Sequence, residues 1–388
     1  MTLRVSTVLA HVAVLVLTAV PLTADTFTPT KFTDSFDGAC NADCSLREAI
    51  QAANQNPGPD TIDLATGTYV ISLPGANEDA NATGDFDILG QLTIDGDGAK
   101  RTVLDGMDLD RLFHVPSGAS VTINLVTIQN GMAGIGGGLY SEGNVTLAGC
   151  QVRDNVTTGF GGGVFAELPG SFFALNSLFA NNTAQGGGGG AAFGADADLF
   201  NTTFSGNTAV TDFGGGAYVF SLTTVNILSG TFTGNSSFQG GGLLVEGDTL
   251  VNVANTVISG NLAPVGPECN GPIVSAGHNL VRDNTTCSGF TGTGDQVGSM
   301  SLPLDAMLGP LANLGGGIDG HRPLTNSPLI NAASPAALGN PGACLSEDQR
   351  GVLRPQGGRC DIGAVEDDTI FADGFERGDS SAWSNVVP

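Results

Sequence analysis

Basic residues are scarce in this chain. Lys31 and Lys100 are its only lysines, and Lys and Arg together number 13 against 38 Asp and Glu, a formal net charge of −25. Such a charge repels phosphate backbones and anionic membrane surfaces, which excludes nucleic acid and anionic lipid as partners. Long apolar runs are missing too, with one exception. MTLRVSTVLAHVAVLVLTAVPLTA places Arg4 before an apolar stretch from Val5 to Val20, followed by Pro21 and the small residues Thr23 and Ala24. This is the outline of a secretory leader, residues 1–24, cleaved after Ala24; it is short for a span and lacks a basic stop beyond it. No later segment is apolar enough to cross a bilayer. No C-terminal set of alternating strands of ~10 residues marks an outer-membrane barrel.

What is present is glycine, 59 of 388 residues, roughly double ordinary usage. Hydrophobic residues make up 41%, so the chain folds and carries its acids on the surface. Seven cysteines suit an exported protein, and three near pairs stand out: Cys40 with Cys44, Cys269 with Cys287, Cys344 with Cys360. Cys150 is left over.

From Val121 to Asn261 the chain repeats. The last apolar residues of successive units are Ile128, Val152, Phe179, Phe204, Phe232 and Ile258, at steps of 24, 27, 25, 28 and 26. Three residues on comes an asparagine in five of the units, Asn155, Asn182, Asn207, Asn235 and Asn261, with Gly131 in that place in the first. A glycine triplet follows, beginning at Gly136, Gly161, Gly187, Gly214 and Gly240. Counting back from each anchor, apolar residues fall seven and five before it, and a small residue two before it. Period two, one three-residue step, then period two again describes two strands meeting at a corner. Asn176, Asn201 and Asn255 lie in that corner, where left-handed backbone is tolerated. Strand, corner, strand, Gly-rich turn and a third strand in ~25 residues make one coil of a parallel β-solenoid. Phe179, Phe204 and Phe232 should then stack inside, and the five asparagines should form a ladder. Cys150 takes a small inward position shared with Ser177, Thr202 and Thr256, which reads as a buried, unreactive thiol.

A solenoid has two open ends, each of which needs a cap. CSLREAIQAAN is the one strongly helical stretch of the chain after the leader. Ser45 and Glu48 have the spacing of a capping box, and Leu46, Ala49, Ile50 and Ala53 form one apolar stripe. Arg47 falls off the stripe and is expected to face water or pair with a neighbour. The stretch therefore reads as a lid. It also carries a resemblance: CSLREAI is the namesake motif of a domain in secreted bacterial right-handed parallel β-helix proteins, of pectin-lyase-like fold. NEDANATGDFDILGQLTIDGDG, TVLDG, DRLFHV, the GGG repeats, SPLINAAS and DQRGVLRPQGGRCDIGAVE all look like that family, covering Phe36 to Glu366. The paired FxxN and GG[AVL] elements are similar to repeats of polymorphic outer-membrane proteins and adhesins. IFADGFERGDSSAWS resembles a short C-terminal element of exported Gram-negative proteins. The resemblance implies an all-β, single-stranded right-handed parallel β-helix, secreted or held at the surface of a Gram-negative bacterium. It brings no shared catalytic residues.

By this reading residues 25–110 are the N-terminal cap and first coils, 111–262 the regular repeats, 263–366 irregular coils and a Pro-rich cap closing the far end, and 367–388 a flexible tail. Parallel β-helices include pectate lyases and polygalacturonases, so catalysis has to be weighed. A polyuronate lyase needs calcium held by carboxylates and a basic side chain to take the proton. A hydrolase needs paired acids. The candidate set is Asp95, Asp97, Asp105, Asp108, Asp110 and Arg111, with Arg101 and His114 nearby. Asp95 and Asp97 in DGDG are the calcium candidates, although Asp-Gly pairs are also ordinary turn formers. No other cofactor is called for. The coils argue against catalysis: between Leu112 and Val281 the only Lys or Arg is Arg153, and it is adjacent to Asp154 on one strand, so the two should point apart. The expected function is non-catalytic binding, to polysaccharide, a host or neighbouring-cell surface or another partner, by a monomer. The alternative is a calcium-dependent, pectate-lyase-like enzyme.

Overall fold

A computed structural model describes residues 23–75, 78–337 and 342–368. Nearly all of the expected leader, and the tail from 369 onward, lie outside them. Each repeat forms one coil of a right-handed parallel β-helix. In a representative coil Leu139–Ser141 and Asn144–Ala148 run along one long sheet, Gln151–Arg153 lies in a second sheet, and Val156–Thr157 in a short third one. The next glycine turn returns the chain to the long sheet, one coil further on.

The register follows the sequence period. In the second sheet Leu104, Ile128, Val152, Phe179, Phe204, Phe232, Ile258 and Val281 pair in sequence, each with the next. In the long sheet Val121, Val145, Phe172, Ala197, Val225 and Val251 do the same. All of these anchors are buried. The rings of Phe179, Phe204 and Phe232 stack at 4.6 and 4.7 Å, 4° from parallel. Each corner is turned by one left-handed residue: Leu125, Gly149, Asn176, Asn201, Ser229 or Asn255. A second left-handed residue precedes each ladder position, at Asn130, Asp154, Asn181, Gly206, Gly234 and Gly260. That geometry overturns the Arg153–Asp154 expectation. Asp154 has left strand conformation, so its carboxylate swings back to Arg153, 2.7 Å away. One glycine assignment also shifts. Val164 pairs with Ala191, so Gly188, with φ +71°, and not Gly187, is the equivalent of Gly161.

The asparagines form a continuous ladder. Asn155, Asn182, Asn207 and Asn235 each donate from the side-chain amide to the next member's Oδ1 at 2.9–3.0 Å, and each also reaches an anchor carbonyl of the coil before. The ladder ends on a residue that the repeat pattern did not single out. The Glu268 carboxylate accepts from Asn261 where a sixth asparagine would stand, at 2.8 Å.

Helix α1, Leu46–Gln55, covers the first coils. Glu48 N–H donates to Ser45 Oγ and Ser45 N–H to Glu48 Oε2, and Leu46, Ala49, Ile50 and Ala53 join the core that holds Ile62 and Ile88. The structure joins Cys40 to Cys44, Cys269 to Cys287 and Cys344 to Cys360, while Cys150 is buried with burial pushing its thiol up to about 12.

The C-terminal segment departs from the sequence reading. It does not close the far end but returns along the outside of the second sheet as a strap. Ala364 N–H donates to Thr231, Gln349 bonds Thr203, His321 lies 2.9 Å from Ser205, and Asp319 pairs with Lys100 near the other end. The cause is in the strands beneath. Leu178, Ala180, Val257 and Leu280 point outward next to inward anchors, and the strap buries them. DQRGVLRPQGGRCDIGAVE fastens the strap through buried charges: Arg350 pairs with Asp348 at 2.7 Å and Arg354 with Glu366 at 3.5 Å.

Candidate functional site

The acidic residues singled out from the sequence do not converge. Asp95 accepts from Asn124 at 2.6 Å, its register partner one coil on. Asp97 is held by Thr66 and by an exposed pair with Arg101. Asp105 accepts from Gln129 and Asn130. Asp108 sits exposed in a left-handed turn. Asp95 and Asp97 are each occupied by side-chain donors, and among the described residues neither they nor Asp63, the register partner of Asp95, belong to a group of three converging ligand side chains; calcium takes six to eight oxygens, so this pair does not fit it.

Asp110, Arg111 and His114 do come together, with Asp79, Asp85 and Asp87. Arg111 Nε lies 2.9 Å from Asp85, and His114 Nδ1 lies 2.9 Å from Asp87 and 3.6 Å from Asp79. Burial pushes the Asp85 carboxyl up to about 7 and raises Asp110; the hydrogen bond to Asp87 raises His114. The missed signal was an alignment. Phe86-Asp87 and Phe113-His114 are equivalent pairs one coil apart, so Asp87 and His114 must be neighbours on the outer face. Asp79, Asp87 and His114 bring three donor atoms within 4.8 Å of one another. Two carboxylates and an imidazole are too few oxygens for calcium, and Arg111 adds a cation beside them. Asp87 is also committed to the fold, since its other oxygen accepts from Asn81 N–H.

Arg47 belongs to this corner. It does not face water: its side chain is fully buried, paired with Asp34 at 2.8 Å and donating to the carbonyls of Gly84 and Asp85. The loop that carries Asp79 and Asp85 is thereby tied to helix α1.

A second feature lies further along the long sheet. Outward residues of successive coils line a groove of about 280 Å³: Asn144 and Thr146, then Ser171 and Phe173, then Asp196 and Asp198, then Thr224 and Asn226. Neighbouring coils tie these side chains together. Ser171 donates to Asn144 at 2.8 Å, Asn226 to Asp198 at 2.7 Å, and Asn252 to Asn226 at 2.8 Å. Phe173 is half-buried and meets Phe200 edge-on at 5.5 Å. Period two puts these residues outward while Val145, Phe172, Ala197 and Val225 point in. Beside the groove runs a row of outward rings, His114, Tyr140 and Phe165, stacked at 5.4 and 5.7 Å, with Phe220 and Tyr218 beyond. Phe165 and Tyr218 are buried, and none of these rings lines the groove itself.

Its fold is that of a pectate lyase. The crystal structure of pectate lyase Pel9A superposes with a TM-score of 0.54 over 89% of this chain and 97% of that one, at 15% sequence identity. No family model and no curated protein matches the sequence. At that identity the likeness extends to the β-helix and no further, and the kinship implied by CSLREAI and its accompanying motifs rests on sequence resemblance alone.

Proposed function

We propose that this is an extracellular, non-catalytic glycan-binding β-helix, whose ligand lies in the groove on the outer face of the long sheet. The groove carries the reading: hydroxyls, amides and carboxylates at one-coil intervals around a half-buried phenyl ring are the groups that hold a sugar. The three disulfides support an oxidising compartment, and no helix among the described residues is long and apolar enough to cross a membrane. With CSLREAI, this favours secretion or display on a Gram-negative surface. A glycan array with and without calcium tests the reading. Phe173→Ala should weaken binding at least about tenfold, the loss of one well-packed contact worth ~1.4 kcal/mol, with an unchanged melting temperature. Binding by no glycan would remove the proposal.

The likeness to pectate lyase Pel9A favours a second reading, calcium-dependent polysaccharide cleavage. Arg111 would be the base and Asp79 and Asp87 the metal ligands, but Arg111 is held by Asp85 and the carboxylates are few. Incubation with polygalacturonate and calcium should produce no absorbance from unsaturated product. Turnover abolished by Arg111→Ala would reverse the ranking.

A further inference from the structure

The outer face of the long sheet carries charge of one sign. Glu142 and Glu167 stand one coil apart at the turn between its two rows of strands, Asp196 and Asp198 line the groove, and Glu246 and Asp248 lie at the same turn further on. All six are at least partly exposed. Between His114 and His278 the chain has one cationic residue, Arg153, and it lies in the second sheet, paired with Asp154. Among the described residues these coils therefore supply no cation of their own to the face; Arg111 and His114 reach its near end, against Tyr140, and are paired with Asp85 and Asp87. A dense single-signed field of this kind concentrates ligands of opposite charge.

We infer that the ligand is a cationic glycan, an amino-sugar chain with free amino groups, and not a polyuronate. The inference rests on the glycan reading above and adds the substrate class. Protonated amines meet Asp196 and Asp198 in the groove and Glu142 and Glu167 at its edge. Sugar hydroxyls meet Asn144, Thr146, Ser171 and Thr224. The half-buried ring of Phe173 offers an apolar and cation-attracting surface among them. A basic peptide fits less well. An extended peptide gains affinity by adding to an open strand edge, and the groove strands Asn144–Ala148, Val164–Leu175 and Ala191–Phe200 are paired on both sides. A polyuronate would meet these carboxylates with its own, and among the described residues no three of these acids converge to hold a bridging calcium.

The test uses the full chain after leader removal and titration calorimetry at mildly acidic pH, where the amines are protonated. The probes are a fully deacetylated glucosamine hexamer, the N-acetylated hexamer, an oligogalacturonate with and without calcium, and a lysine-rich peptide. The deacetylated hexamer should bind at least about tenfold more tightly than the acetylated one, and raised salt should weaken it. Glu142→Gln with Glu167→Gln, at the edge of the groove and outside its lining, should lower its affinity several-fold while leaving the acetylated hexamer and the melting temperature unchanged. Equal binding of the two hexamers would overturn the amino-group inference and leave glycan binding standing. Preference for the galacturonate or for the peptide would overturn it as well. Binding of none of the sugars would remove both the inference and the function beneath it.

Discussion

Arg47 shows what one buried side chain does here. It neutralises the buried carboxylate of Asp34 and donates to Gly84 and Asp85, with the Phe86 ring 4.9 Å from its guanidinium carbon. Arg47→Ala would leave the Asp34 charge buried without its cation, held only by the N–H groups of Ser72 and Leu73, at an expected cost of about 3–5 kcal/mol read by chemical denaturation. Arg47→Lys should recover only part of that, because one ammonium cannot reproduce the planar fork; full recovery would show that charge alone matters. Asp85, in the same corner, carries a pH signature. Its folded pKa of about 7 lies above the ordinary carboxylate value, so the folded state binds its proton more tightly than the unfolded one. The contribution to stability is full below about pH 4 and is lost as pH rises through 7; the raised His114 acts in the same sense from about 6.5 upward. Asp85→Asn mimics the protonated acid. Its melting temperature should fall less than that of the parent chain between pH 4 and 8, and parallel curves would remove Asp85 as the cause.

Coils are held to one another by inward ladders. Phe204 lies between Phe179 and Phe232, buried on all sides, so Phe204→Ala should destabilise by about 3–5 kcal/mol and uncouple the coils on either side. Hydrogen exchange would read this as faster exchange in Leu178–Ala180 and Thr231–Thr233 than in Leu104 or Val281; uniform loss of protection would instead indicate one cooperative unit. These elements were legible in the sequence because each repeats a local rule. Period two with one three-residue step is a property of adjacent residues, and so are the anchor asparagine and the capping box of Ser45 and Glu48. The strap was legible only in part. Leu178-Phe179-Ala180, Val257-Ile258 and Leu280-Val281 place apolar residues on both faces of a strand, which requires a covering layer. Nothing local says which segment supplies it.

For the whole molecule, the strap divides the surface. It covers the second sheet over several coils, leaving the acidic face of the long sheet as the open one. Truncation after residue 299 should expose Leu178, Ala180, Val257 and Leu280 and produce aggregation, measured by light scattering; a monomeric, cooperatively folded truncation would show the strap to be dispensable. The candidate site divides in the same way. From one sequence, the scarcity of cations in the coils and their inward periodicity were enough to establish a β-helix with an acidic exterior, because both are sums or repeats over neighbouring residues. Tertiary structure decided which acids meet. Asp85 and Asp87 join Arg111 and His114 because coil stacking brings residues about one repeat apart to within 3 Å, whereas Asp95 and Asp97, two residues apart, are drawn to different partners. It also decided that Arg47 is buried and that the C-terminal segment lies along the solenoid. Both depend on which distant surfaces need a partner, and that need exists only once the coils have stacked.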